Sequence, residues 1–195
     1  MKLPIEEIKI GHWTDTEART GCTVIRFPKG VVASGEVRGG APATREFELL
    51  SPERTVESID AVVISGGSAF GLASAIGVVE FLEELDVGFR TPQGAVPIVV
   101  GMSLYDLGVG DSSIRPGPNE GRIACLDGES NKKEIPTGRV GAGTGATTGN
   151  WRGKENLSYG GIGIASAEVE GVIVCSLFAV NAAGDVVNEE ISESF

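Results

Sequence analysis

Ile64-Ser-Gly-Gly-Ser-Ala-Phe-Gly71 places a serine, Ser68, after a fully apolar run and before a helical pattern, the setting of a nucleophile elbow. An elbow has Gly at both second neighbours of its serine; Gly66 is there, but position 70 is Phe. His12 is the single histidine, so a serine triad, or a zinc site built with the dispersed cysteines, would rest on that one residue. The simpler reading makes Ser68 a helix N-cap and Gly66-Gly67 a turn, with the amides of Gly66, Gly67 and Ser68 able to hold a substrate oxygen. Gly141-Ala-Gly-Thr-Gly-Ala146 falls short of a dinucleotide loop, because its third Gly comes too early and no apolar helix follows Asn150. A nucleotide-dependent oxidoreductase therefore has only glycine spacing behind it. The residues leave two readings of that run open: a glycine-rich turn, or a wall of amides around Gly143 and Thr144 lining a pocket. Tyr105 and Asn181 stand at strand ends, where sites form, although on the residues alone a core-edge tyrosine and a turn asparagine are the favoured readings. Asp106 and Asp111 suggest a metal pair or, more plainly, a solvated loop.

These groups need elements to position them. Thr20–Phe27 and Gly30–Val37 read as a hairpin turning at Pro28-Lys29-Gly30. Asp60–Ser65 is a short apolar run, the pattern of a strand buried on both faces. Ser68–Leu85 has helical periodicity, with Gly77 inside it marking close packing against a sheet. Ala95–Val100 reads as another buried strand, Leu104–Leu107 as a short helical or loop segment, and Gly108–Gly121 as loop. Asn119–Ser130 reads as a helix weakened by Gly121 and Gly128, and the alternate glycines of Gly138–Gly149 rule out a regular packed face. Gly161–Val169 and Val172–Val180 form a hairpin at Glu170-Gly171, followed by a short strand at Val186-Val187. Strands outnumber helices and hairpins dominate, which points to stacked sheets covered by helices.

The length of 195 residues suits one domain, and 41% hydrophobic with 22% charged residues excludes a disordered chain. A formal charge of −11 opposes nucleic-acid binding, which needs clustered Lys and Arg. The acidic start, Met1-Lys-Leu-Pro-Ile-Glu-Glu7, and the lack of a long apolar window point to a cytoplasmic protein with no membrane partner. Cys22, Cys125 and Cys175 are odd in number and far apart, so they are expected as reduced, mostly buried thiols.

Taken in order, Gly11-His-Trp-Thr-Asp15, Thr20-Gly-Cys-Thr-Val24, Val37-Arg-Gly-Gly-Ala-Pro42, Thr44-Arg-Glu46, Ser65-Gly-Gly-Ser-Ala-Phe-Gly71, Val140-Gly-Ala-Gly-Thr-Gly-Ala146, Gly160-Gly-Ile-Gly163 and Val180-Asn-Ala-Ala-Gly-Asp-Val186 cover nearly the whole chain. Through them the sequence resembles the DmpA-type L-aminopeptidase/D-esterase and nylon-oligomer hydrolase family, peptidase family S58. The resemblance implies an α/β fold, a four-layer α/β/β/α sandwich of the DmpA and ornithine acetyltransferase type. It also implies a precursor that cuts its own backbone before a Ser or Thr, which then attacks amides or esters as an N-terminal nucleophile. The freed α-amine can act as base for its own hydroxyl, so no histidine, cofactor or metal is required.

By the same resemblance Asn181 donates to the developing oxyanion and Tyr105 lines the nucleophile. The chain is then the large portion of the enzyme, with the nucleophile on a C-terminal fragment beyond Phe195 that is either a separate polypeptide or missing, which would leave the chain inactive. Without that fragment it should expose apolar edges and aggregate; with it, an oligomer of paired fragments is expected by resemblance. Two departures bear on activity. Asn150, in Thr148-Gly-Asn-Trp151, stands where similar nylon hydrolases have a catalytic Lys. The glutamate that grips a substrate amine falls near Met102 or Ser103, so a small amide or peptide without a free cationic amine is favoured. The alternative is a catalytically inactive relative that binds a small molecule or serves in assembly.

Overall fold

A computed structural model describes residues 4–5, 7–130 and 134–186. Its centre is a five-stranded sheet in the order β1 (Lys9–Asp15), β2 (Thr20–Val31), β4 (Ile59–Ser65), β7 (Val99–Ser103) and β3 (Thr44–Arg45). Neighbours are antiparallel except β4 and β7, whose parallel pairing needs a crossover. The crossover carries α1 (Ser74–Glu84) and the small hairpin β5 (Phe89–Thr91) with β6 (Gly94–Val96). Then come α2 (Pro118–Glu129), the short pair β8 (Thr147–Thr148) and β9 (Ser158–Tyr159), and a long hairpin of β10 (Gly161–Val169) with β11 (Val172–Val180).

Alternation along β4 builds two cores at once. Ala61 and Val63, with Cys22, Val24 and Val99, meet Ala75, Val78, Phe81 and Leu82 of α1 and Ala124 and Cys125 of α2. Ile64, on the opposite face, packs with Met102 against Ala142 and against Ile162, Ile164, Leu177 and Ala179 of the long hairpin. The order is thus helices, sheet, second sheet. On β10–β11 the side chains of Val169, Val172, Val174 and Phe178 are each more than half exposed, so this second sheet keeps an uncovered apolar surface.

Several expectations change. Pro28-Lys29-Gly30 is no turn: β2 runs through it to Val31. A register shift against β4 between Arg26 and Val31, with Gly30 at φ 85°, absorbs the proline that lacks an N–H. Residues 32–37 form no strand. Pro97 divides the expected Ala95–Val100 strand between β6 and β7. Ser68 does not cap a helix; it sits at φ 55° and opens a 3-10 segment, Ser68–Ala73, that precedes α1. Gly77 packs against α2 rather than a sheet, since a Cβ there would lie 1.8 Å from the Pro118 carbonyl oxygen. Helix α2 starts as its sequence asks, with Pro118 first and the Glu120 carboxylate accepting the Gly117 N–H. The β10–β11 hairpin turns at Glu170-Gly171 as expected. Val186 has no regular structure, and Val187 lies outside the described residues.

Burial pushes the Cys22 thiol far above its ordinary range and the Cys125 thiol up to about 12, whereas Cys175 on β11 is only half-buried. A thiol reagent applied to the native protein at neutral pH is expected to modify Cys175 first, read by peptide mass mapping. Modification of Cys22 at the same rate would show that the core opens.

Candidate active site

The end of β11 makes the site. Gly160 lies so close to the Val180 carbonyl that a Cβ would come within 1.9 Å of it, and this lets residues 181–184 run beside the β8 segment. Gly149 and Trp151 donate their N–H groups to the carbonyls of Gly184 and Ala183 at 2.8 and 3.0 Å. Between these strands of chain the half-buried Asn181 is held on both sides. Its Oδ1 accepts the Thr147 N–H at 2.9 Å, and its Nδ2 donates to the Tyr105 carbonyl at 3.0 Å. The two bonds fix which end of the amide carries the nitrogen. One Nδ2 hydrogen is used, and the other has no partner among the described residues.

Asn150 joins the same group from the exposed side. Its Nδ2 donates to Thr147 Oγ1 at 3.1 Å, with the carbonyls of Thr147 and Ala182 at 3.4 Å. Asn181 and Asn150 therefore meet at Thr147, and Tyr105 joins them through Asn181. Tyr105 contributes its carbonyl to the clamp, and its ring is 65% exposed. Beside this group opens a cleft of about 500 Å³ lined in part by Thr148, Arg152, Tyr159, Val180 and Asp185. Arg152 pairs with Asp185, whose second oxygen accepts the Trp151 indole N–H. Arg139 lies 4.1 Å from the centre of the Tyr159 ring.

The expected substrate contacts at Gly66, Gly67 and Ser68 are not open amides. Gly66 N–H goes to the Gly21 carbonyl, Gly67 N–H to Asp106 Oδ1 and Ser68 N–H to the Leu104 carbonyl, at 2.7–3.0 Å. Gly143 and Thr144 are buried, with N–H groups on the Val140 and Gly141 carbonyls. The Gly141 run thus forms a turn whose Gly143 and Thr144 amides are bonded within the chain. Thr14 and Thr23 hydroxyls take the N–H groups of Gly141 and Ala142, and His12, bonded through Nδ1 to Thr23, packs under the same turn. His12 therefore supports the fold.

Two residues escaped the sequence reading. Thr147 lay inside a glycine-rich stretch with no signal of its own. Asp106 is no solvated loop residue: it is 3% exposed, accepts from Gly67 N–H and the Thr20 hydroxyl, and burial raises its pKa above the ordinary carboxylate value. Its placement in the apolar Leu104–Leu107 stretch was the available clue. Asp111 is exposed and accepts from Ser113. Among the described residues no three His, Cys, Asp or Glu side chains gather as a metal site.

The sequence model of peptidase family S58 matches residues 4–192. The chain belongs to peptidase family S58. An uncharacterized aminopeptidase of Mycobacterium leprae is 40% identical over 198 residues, covering 94% of this chain and 53% of that protein. A 6-aminohexanoate-oligomer endohydrolase of Paenarthrobacter ureafaciens is 26% identical over 191 residues, covering 96% of this chain and 50% of its own. This S58 chain thus spans about half the length of the curated relatives it matches. Among solved structures, the L-aminopeptidase D-Ala-esterase/amidase of Ochrobactrum anthropi, described as a prototype of the serine aminopeptidases and a variant of the Ntn hydrolase fold, superposes with a TM-score of 0.71. Identity is 19%, over 92% of this chain and 52% of that one. A beta-aminopeptidase of Burkholderia sp. gives 0.70 at 21% identity, over 92% and 51%. These likenesses show the fold: the four-layer α/β/β/α class that the family resemblance implied. To it the described residues contribute one helical layer, the five-stranded sheet and the β10–β11 hairpin.

Proposed function

We propose that this S58 chain is the large portion of a self-processing N-terminal-nucleophile amide or peptide hydrolase, and that Asn181 Nδ2 is its oxyanion donor. The observation that carries the reading is the clamp: an amide held at both ends, with one N–H left without a partner among the described residues, is a donor whose orientation is set before substrate arrives. Tyr105 lines the incoming nucleophile, and Asn150 stands beside it. Gly66, Gly67, Ser68, Gly143 and Thr144 act as supports of this clamp, because their amides are already bonded within the chain. The nucleophile is a Ser or Thr on a C-terminal fragment that packs against the uncovered apolar surface of β10–β11, and paired fragments assemble into an oligomer. Three free, separated cysteines fit a cytoplasmic location. No helix among the described residues is long and apolar enough to cross a membrane.

A second reading, a catalytically inactive relative that binds a small molecule or serves in assembly, is favoured by Asn150, since an uncharged amide cannot supply a lysine's cation. Intact-mass measurement of the complete protein separates the two. Hydrolysis expects two pieces, the smaller beginning with Ser or Thr, together with turnover of small amides; a single uncut species without turnover supports the inactive relative.

A further inference from the structure

We infer that Asp106 is a positioning residue for the proposed reaction, tying together the two segments that hold the Asn181 amide. The inference rests on the reading of Asn181 above and names a group that acts through it. Asp106 follows Tyr105, whose carbonyl accepts the Asn181 N–H. Its two oxygens are both bonded: Oδ1 takes the Gly67 N–H and Oδ2 the Thr20 hydroxyl, each at 2.7 Å. These bonds fasten residue 106 to the turn after β4 and to the first residue of β2, while Leu104 is fastened on the other side through the Ser65 carbonyl and the Ser68 N–H. The Tyr105 carbonyl therefore hangs between two anchored neighbours.

The same side chain reaches the other half of the clamp. Gly145 packs against it so closely that a Cβ at 145 would stand 2.9 Å from Asp106 Cβ and 3.0 Å from Oδ2. Two residues on, the Thr147 N–H donates to Asn181 Oδ1. One buried carboxylate thus touches the chain next to each partner of the catalytic amide. No cation is bonded to it among the described residues, and its surroundings are Thr20, Gly66, Gly67 and Gly145. A buried carboxylate without a cation is costly for a fold to keep unless it makes bonds that neutral apolar packing cannot supply. A carboxylate is an acceptor at both oxygens and so receives both the N–H and the hydroxyl. An asparagine could serve the same geometry, with Oδ1 on the Gly67 N–H and the Thr20 hydroxyl rotated to accept from Nδ2.

The test is steady-state hydrolysis of a chromogenic N-acylated amino-acid amide by the complete mature protein, with Asp106→Ala, Asp106→Asn, Thr20→Val and Asn181→Ala. Displacing an aligned donor by a fraction of an ångström to an ångström is enough to slow a reaction by up to about 100-fold. Asp106→Ala is expected to lower kcat by about 10- to 100-fold with KM within about threefold. Asp106→Asn is expected to restore kcat to within about threefold of the parent, and Thr20→Val to fall between the two. A folded Asp106→Ala protein at the parent kcat, or one changed only in KM, overturns the inference. So does an Asp106→Asn variant as slow as Asp106→Ala, because that result assigns the group to proton transfer. If Asp106→Ala does not fold, Thr20→Val decides: an unchanged kcat overturns the inference and a lowered kcat with steady KM supports it. Asn181→Ala at the parent rate would instead sink the functional reading itself, which distinguishes the two failures.

Discussion

Asn181→Ala is expected to lower kcat for amide hydrolysis by the complete protein about 10²- to 10³-fold while leaving KM nearly unchanged, the loss associated with removing one preorganised oxyanion donor. The amide is bonded at both ends, to the Thr147 N–H and the Tyr105 carbonyl, so its second N–H pays no reorganisation when charge develops on the substrate oxygen. The substitution also frees those two backbone groups. They lie at a partly exposed site where water can replace the amide, so the stability loss should stay near about 1 kcal/mol. Asn181→Asp sharpens the result. It keeps an acceptor for Thr147, sets a carboxylate oxygen against the Tyr105 carbonyl where the donor was, and places a negative charge where an oxyanion would form, so it should be at least as slow as the Ala variant. Activity retained in Asn181→Asp would contradict the assigned role.

The largest effect on stability is expected from Gly77→Ala. In a free helix the change favours folding by about 1 kcal/mol. Here the added Cβ would lie 1.8 Å from the Pro118 carbonyl oxygen and 2.6 Å from its carbon. Gly121 meets the Ser74 carbonyl in the same way, at 2.0 Å, so α1 and α2 touch through two glycines that face each other's backbone. Backbone cannot rotate aside as a side chain does, and the helices must move apart by more than an ångström, opening the core around Val78, Ala75 and Ala124. Overpacking of this kind costs about 1–3 kcal/mol, more when backbone is the obstacle, and outweighs the helix gain. We expect a net loss of about 3 kcal/mol, or a fall in Tm of roughly 6–12 °C in a domain of this size. Urea denaturation of the complete protein checks it. Gly40→Ala, where a Cβ meets nothing within 4 Å, is the control and should change stability by less than about 0.5 kcal/mol. Equal effects at both positions would show that the helices are not in contact through Gly77.

Elements whose signal is local were readable: the apolar run of β4, the Glu170-Gly171 hairpin, and α2, expected at Asn119–Ser130 and found at Pro118–Glu129. Elements decided by neighbours were not. Pro28 and Gly30 carry the residue types of a turn, yet β2 continues because β4 accepts a shifted register beside them. Ser68 has the residue type of a cap, but its own N–H and those of Gly66 and Gly67 are taken by Leu104, Gly21 and Asp106, residues distant in sequence, and it opens a 3-10 segment at φ 55° instead. The family resemblance singled out Asn181, Tyr105 and Asn150; in the structure Asn181 and Asn150 bond to Thr147 and Tyr105 bonds to Asn181. Thr147 and Asp106 stayed hidden because their roles exist only once the chain has folded: one lends a backbone N–H, and the other is buried by glycines at 66, 67 and 145.

The central claim concerns one hydrogen atom, the second N–H of Asn181. An experimental structure of the complete mature protein with an acyl transition-state mimic bound to its N-terminal Ser or Thr measures it directly. The expected result is Asn181 Nδ2 at about 2.7–3.1 Å from the tetrahedral oxygen, with the Thr147 and Tyr105 bonds kept. A tetrahedral oxygen held by other donors, with Asn181 bonded only to Thr147 and Tyr105, would contradict it.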